Sequence, residues 1–146
     1  MTEAAAEERA ADFVRRFAEF WSAPAPDRLA MLLADDVRLV APMTPVTHTL
    51  AAGERAFAGI FGLVPDLTAE VHEWGATVSG VLIDFTLRGS AGGAPISWRA
   101  VDRIEIGEDG LATERVSYFD SVPLILALAR RPRAWPGFVR SRISPM

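Results

Sequence analysis

Residues 94 to 119 read APISWRAVDRIEI, GEDG, LATERVSYF: two runs that alternate apolar and polar side chains, separated by a Gly- and Asp-rich turn. A period of two is the pattern of a half-buried strand, and a short Gly-marked break between two such runs predicts an antiparallel hairpin. The preceding segments, LTAEVHEWGATVSG and VLIDFTLRGSAGG, repeat the pattern with Gly at their ends. The second half of the chain is therefore expected to be an antiparallel meander. The first half has a different period. AEERAADFVRRFAEFW spaces Phe13, Phe17, Phe20 and Trp21 along one helix face, and SAPAP ends that helix. DRLAMLLADD after Pro26 predicts a second helix, VRLVAP a short strand, and GERAFAGIFGLV a third helix closed by Pro65. Residues 42 to 52 read as a loop with a strand fragment at 48–50, and VPLILALARR as a short last helix. Helices first and strands later predict an α+β domain.

The hairpin also predicts which side chains share a face. Pairing centred near Asp109 sets Asp120 opposite Trp98, Tyr118 opposite Ala100 and Val116 opposite Asp102. On that reading Trp98, Asp102, Tyr118 and Asp120 meet the helices, while Arg99, Arg103, Glu105, Arg115 and Ser117 form a wet face. Acids on an apolar face are costly unless bonded or functional. Burial raises a carboxyl pKa toward the range of useful proton donors and acceptors. The expectation for Asp84 is different. Val81, Ile83, Phe85 and Leu87 are its strand's buried set, which turns Asp84 outward.

Composition narrows the chemistry. The 146 residues suit one domain, with a core at about 8–128 and an Arg-, Pro- and Trp-rich tail at 129–146. Every basic residue is Arg; Lys, Asn, Gln and Cys are absent, which excludes Schiff-base, thiol and side-chain amide chemistry. The net charge of −4 argues against nucleic acid as a partner. Five Arg from Arg130 onward face no acid in the tail, whereas all nineteen acids precede it. No apolar run is long enough to insert stably in a membrane, and the acidic start does not resemble a secretory signal. A cytoplasmic protein is expected. His48 falls in the loop over the expected cavity mouth, and His72 stands beside Glu73 on a strand. Neither has an acid at helical spacing, so no metal and no cofactor are expected.

The segments LADDVRLVAP, AGIFGLVPDL, FTLRGSAGG and VDRIEIGEDGLATERVSYFD resemble the nuclear-transport-factor-like superfamily of cone-shaped domains, especially its SnoaL-like members. The resemblance implies a curved mixed, mainly antiparallel sheet. Three N-terminal-half helices would cover its concave face over a cone-shaped cavity, followed by a short C-terminal helix. It also implies three possible activities. Steroid isomerases of this fold use a Tyr, an Asp base and a protonated Asp; those positions hold Phe17, Ala41 and Asp102. Limonene-epoxide hydrolases use an Asp–Arg–Asp group with a Tyr–Asn pair. Asp84 and Asp120 match the acids, Leu82 replaces the Arg, Leu39 and Ala41 replace the pair, and His48 or Tyr118 would have to hold the water. SnoaL-type polyketide cyclases need one Asp at the end of the last strand, where Asp120 stands.

The leading expectation is an acid/base enzyme acting on a small apolar, ring-containing molecule. Its site would be Asp120, assisted by Asp102, Tyr118 and His48, with Asp84 as a further candidate. Phe17, Trp21, Met43, Trp74 and Trp98 would shape the pocket, and the segment after Asp120 would close it as a lid or dimer contact. An epoxide hydrolase and a non-catalytic lipophilic binder or dimeric scaffold are the alternatives. The resemblance also implies a homodimer formed through the outer sheet face.

Overall fold

The computed structural model describes residues 1–129. The expected Arg-rich tail, from Arg130 on, lies outside them.

The first helix, α1 (Glu3–Ser22), starts where the Thr2 side chain accepts a hydrogen bond from the Ala5 amide. It buries Ala10, Phe13, Val14, Phe17, Phe20 and Trp21, a single stripe at three- and four-residue spacing. The expected second helix is shorter and tighter. Only Pro26–Met31 is helical, in a 3-10 turn, and strand β1 (Leu33–Val40) begins within the stretch read as helix. The reason is tertiary: the Leu32 carbonyl accepts a hydrogen bond from the Ala112 amide at 2.7 Å, and β1 then pairs in parallel with β5 (Ala112–Tyr118). A ladder with the far end of the chain outweighs the local preference for helix. The second α-helix, α2 (Leu50–Leu63), is capped by Thr49 and gives way at Val64, before Pro65. The fragment expected at 48–50 is displaced by that cap, and the loop instead bridges Leu39 through Thr47.

Strands β2 (Thr68–Ala76), β3 (Gly80–Ala91), β4 (Ala94–Ile106) and β5 follow as the expected meander, and the sheet order is β1-β5-β4-β3-β2. All neighbours except β1 and β5 are antiparallel. One sheet face carries Val81, Ile83, Phe85, Leu87, Ile96, Ala100, Ile104 and Ile106, and it builds the core with the helices. Gly80 is required by close approach: a Cβ there would lie 1.8 Å from the Ile104 carbonyl oxygen. The other face is a lattice of ion pairs, among them Arg99–Asp84, Arg38–Glu114, Arg103–Glu114 and Arg88–Glu70. The last helix, α3 (Val122–Ala129), sets Leu124 into the core and leaves Val122, Ile125 and Leu126 exposed.

Candidate functional site

Strand β4 alternates cleanly, and its parity turns Asp102 inward between Ala100 and Ile104. This side chain has no exposed surface. An uncompensated carboxylate there would cost several kcal/mol, roughly, so a partner is obligatory. The partner comes from β5 through a β-bulge. Ile106 pairs with Ala112, but Glu105 pairs with Glu114, so Thr113 is an extra residue. Beyond it every pairing is one residue off the expected register: Asp102 faces Ser117 and Ile104 faces Arg115. Ser117 and Arg115, expected on the wet face, therefore share the inner face with Asp102.

Arg115 Nε donates to Asp102 Oδ2 at 2.5 Å, and the pair is deeply buried, with 17% of the Arg115 side chain exposed and none of Asp102. A second restraint comes from α2: the Arg115 Cζ lies 5.6 Å from the centre of the Phe57 ring. Asp102 Oδ1 is buried and has no hydrogen-bond partner among the described residues. Among the described residues, none accepts a hydrogen bond from either Nη of Arg115. Arg115 forms part of the wall of a hollow lined otherwise by Phe13, Phe17, Phe20, Trp21, Leu29, Leu32, Leu33, Phe57 and Ile104. The aromatic rings meet edge to face, as for Phe17 on Phe85 at 5.3 Å and Phe20 on Trp21 at 5.2 Å. The space left open to the centre of a water molecule is ≈20 Å³, room for about one water. In this conformation the hollow is filled by its own walls, and a ring-sized molecule enters only when those rings move.

The remaining expected site residues disperse. Tyr118 lies on the outer sheet face, opposite Val101, and is more than half exposed. Asp120 is also exposed, past the end of β5. Its Oδ1 accepts the Val122 amide at 3.0 Å, an Asx turn that starts α3. Its expected place at the cavity mouth, and the meeting of Asp102 with Asp120, are corrected by the bulge. Asp84 faces outward as expected, and Arg99 grips it with two hydrogen bonds of 2.6 and 2.9 Å. Those bonds hold the Asp84 carboxyl below the usual carboxylate range. His48 is exposed in the loop before α2, and His72 bonds Thr86 at 2.6 Å on the outer face. Of the expected pocket residues, Phe17 and Trp21 line the hollow. Trp74 is exposed, Met43 packs against the core, and Trp98 sits at a tilt beside Phe119; none of these three lines it. Among the described residues of α3, none lines this hollow. Among the described residues, no cluster of His, Asp or Glu has the makings of a metal site.

Arg115 is the residue that sequence reasoning missed. The signal was electrostatic. The expected register placed Glu114 on the same face as Asp102, whereas the opposite parity of β5 offers Arg115. An inward acid in an apolar layer requires a cation, and only one of the two parities supplies it.

The family model described as SnoaL-like domain matches residues 14–115. No curated protein matches the sequence significantly. Solved structures share the fold. A protein from Jannaschia sp. CCS1 described as a SnoaL-like polyketide cyclase is 15% identical, with TM-score 0.70 over 90% of this chain and 96% of that one. A protein with a ketosteroid isomerase-like fold from Catenulispora acidiphila is 17% identical, with TM-score 0.72 over 84% and 95%. An LEH-like epoxide hydrolase from M. tuberculosis is 19% identical, with TM-score 0.69 over 89% and 96%.

Proposed function

Because the chain belongs to the SnoaL-like domain family, we propose that it is a small-molecule enzyme in which Asp102 is the inward acid/base group, acting on an apolar ring-containing substrate in a cyclase- or isomerase-like reaction. The observation that carries this reading is the state of Asp102. It is fully buried, one oxygen is fixed by Arg115, and the other has no partner among the described residues. A carboxylate held in one orientation with a free oxygen can take and return a proton once the aromatic wall opens. Proton transfer next to a carbonyl is the step that cyclases and isomerases share, and the apolar walls would exclude water from it.

Asp102→Asn is expected to abolish turnover in a screen of cyclic ketones, β-diketones and epoxides. Asp120→Asn should leave turnover within about threefold, because Asp120 serves the start of α3. The reverse result, activity lost with Asp120 and kept without Asp102, removes the proposal. Conversion of epoxides alone would favour the hydrolase alternative, which the buried Asp–Arg contact also suits.

A second reading, a lipophilic binder or dimeric scaffold, draws on the narrowness of the hollow. Dimerisation through the outer sheet face belongs to both readings: Leu82, Val101 and Tyr118 are exposed there among paired charges. A monomer mass in sedimentation at micromolar concentration would remove that part. The described residues hold no helix long and apolar enough to cross a membrane. A cytoplasmic location is part of the proposal, and the lack of cysteine fits it.

A further inference from the structure

We infer that Arg115 is the specificity residue of the hollow and that the ligand it selects is an apolar ring bearing a carboxylate. The inference rests on the reading that this hollow is where the small molecule enters.

Nine of the ten lining residues are apolar, and the tenth is a cation. A greasy wall with a single charged position binds a molecule of the same design, one that is apolar throughout and has one polar end. The polar end must be an acceptor, because a guanidinium only donates. Arg115 is also held for the task. Asp102 takes the Nε–H from behind, and the Phe57 ring lies against the guanidinium. These two restraints fix the plane of the group while leaving the Nη–H pair without an acceptor among the described residues. Two parallel N–H donors match the two oxygens of a carboxylate, a geometry that a lysine ammonium does not reproduce. Asp102 does not compete for the cavity. In this conformation it has no exposed surface and does not line the hollow, so Arg115 is the member of the pair that stands on its wall. In a water-poor setting these hydrogen bonds are stronger than at a surface, and a neutral ester in the same place would leave the fork half satisfied.

The test compares 2-naphthoate with its methyl ester by NMR titration of the full chain. Wild type should bind the carboxylate at least tenfold more tightly than the ester. Arg115→Lys should lower that preference. Arg115→Met alone strands Asp102 and can fail to fold, so Asp102→Leu/Arg115→Met, which removes both charges, is the decisive variant. Circular dichroism should show it folded, and it should bind the two compounds alike. Equal binding of both compounds by wild type, no binding of either, or a preference that survives in the double variant would overturn the inference. The outcome is separable from the enzymatic proposal. A carboxylate preference without turnover of any compound leaves Arg115 its role and removes the acid/base reading. Turnover of neutral ketones with no such preference does the converse.

Discussion

Asp102 and Arg115 lie thirteen residues apart in sequence, yet neither is stable where it is without the other. Removing one member of a buried pair leaves the other charged and unsolvated, which typically costs about 3–5 kcal/mol. Replacing both with apolar side chains avoids that penalty and is often neutral or stabilising. Asp102→Ala is therefore expected to lose about 3–5 kcal/mol in urea unfolding, while the Asp102→Leu/Arg115→Met variant stays within about 1.5 kcal/mol of wild type. If Asp102→Ala is as stable as wild type, the pair is not the buried contact described. The contrast also bears on function. A pair that could be replaced without loss of stability, yet is present, fits a binding or catalytic task better than a structural one. Its partial disclosure in the sequence follows from the same physics. The inward direction of Asp102 was legible because β4 alternates without interruption from Ile96 to Ile106. Arg115 was not, because one extra residue at Thr113 exchanges the faces of everything after it, and nothing in LATERVSYF marks a bulge.

At the scale of elements, the strands were read within a few residues because period-two alternation and glycine report directly on sheet and turn. The segment after Pro26 was not, because its fate depends on Ala112, a partner eighty residues away. Asp66 shows another such long-range tie. Its two oxygens accept the Ser90 amide at 2.7 Å and the Ser90 hydroxyl at 2.9 Å, joining the turn after α2 to the end of β3. The backbone bond first, and the hydroxyl second, hold the Asp66 carboxyl below its usual range. A lowered folded-state value means the ionised form is favoured by folding. Its contribution is complete above the unfolded carboxylate value of about 4, and it is lost as the pH falls through the lowered folded value. Asp66→Asn should therefore be less stable than wild type at pH 7, with the gap narrowing below about pH 4. Parallel acid limbs in chemical denaturation from pH 7 to pH 2 would show that this tie contributes nothing.

Across the whole molecule, Arg16 adds a polar tie between the helical layer and the sheet. Arg16 leaves the buried stripe of α1 and donates to the Met31 carbonyl at 3.0 Å, at the end of the 3-10 turn. It also donates to the Gly110 carbonyl at 2.6 Å, in the turn between β4 and β5. Asp12 steadies it from the previous helical turn at 3.2 Å, and its guanidinium lies 5.3 Å from the Phe13 ring centre. Three segments that meet only in the folded chain thus share one donor group, and they border the layer that holds the hollow. Charge-assisted bonds to carbonyls are worth about 1.5–3 kcal/mol each, with much of the loss arising from acceptors left unsatisfied. Met31 and Gly110 are only half-buried, so the expected cost of Arg16→Ala is about 2 kcal/mol in total. Arg16→Lys, which can reach one carbonyl but not span both, should fall between wild type and the alanine variant. The same urea titrations, followed by Trp fluorescence, would read both values. A clamp of this kind also predicts where the loss appears first: amide exchange in Arg16→Ala should quicken in the Gly107–Leu111 turn before it quickens in β3, because β3 keeps every ladder bond it had. Uniform quickening across the sheet would mean that Arg16 supports the fold only globally and does not tie the turn to the helix.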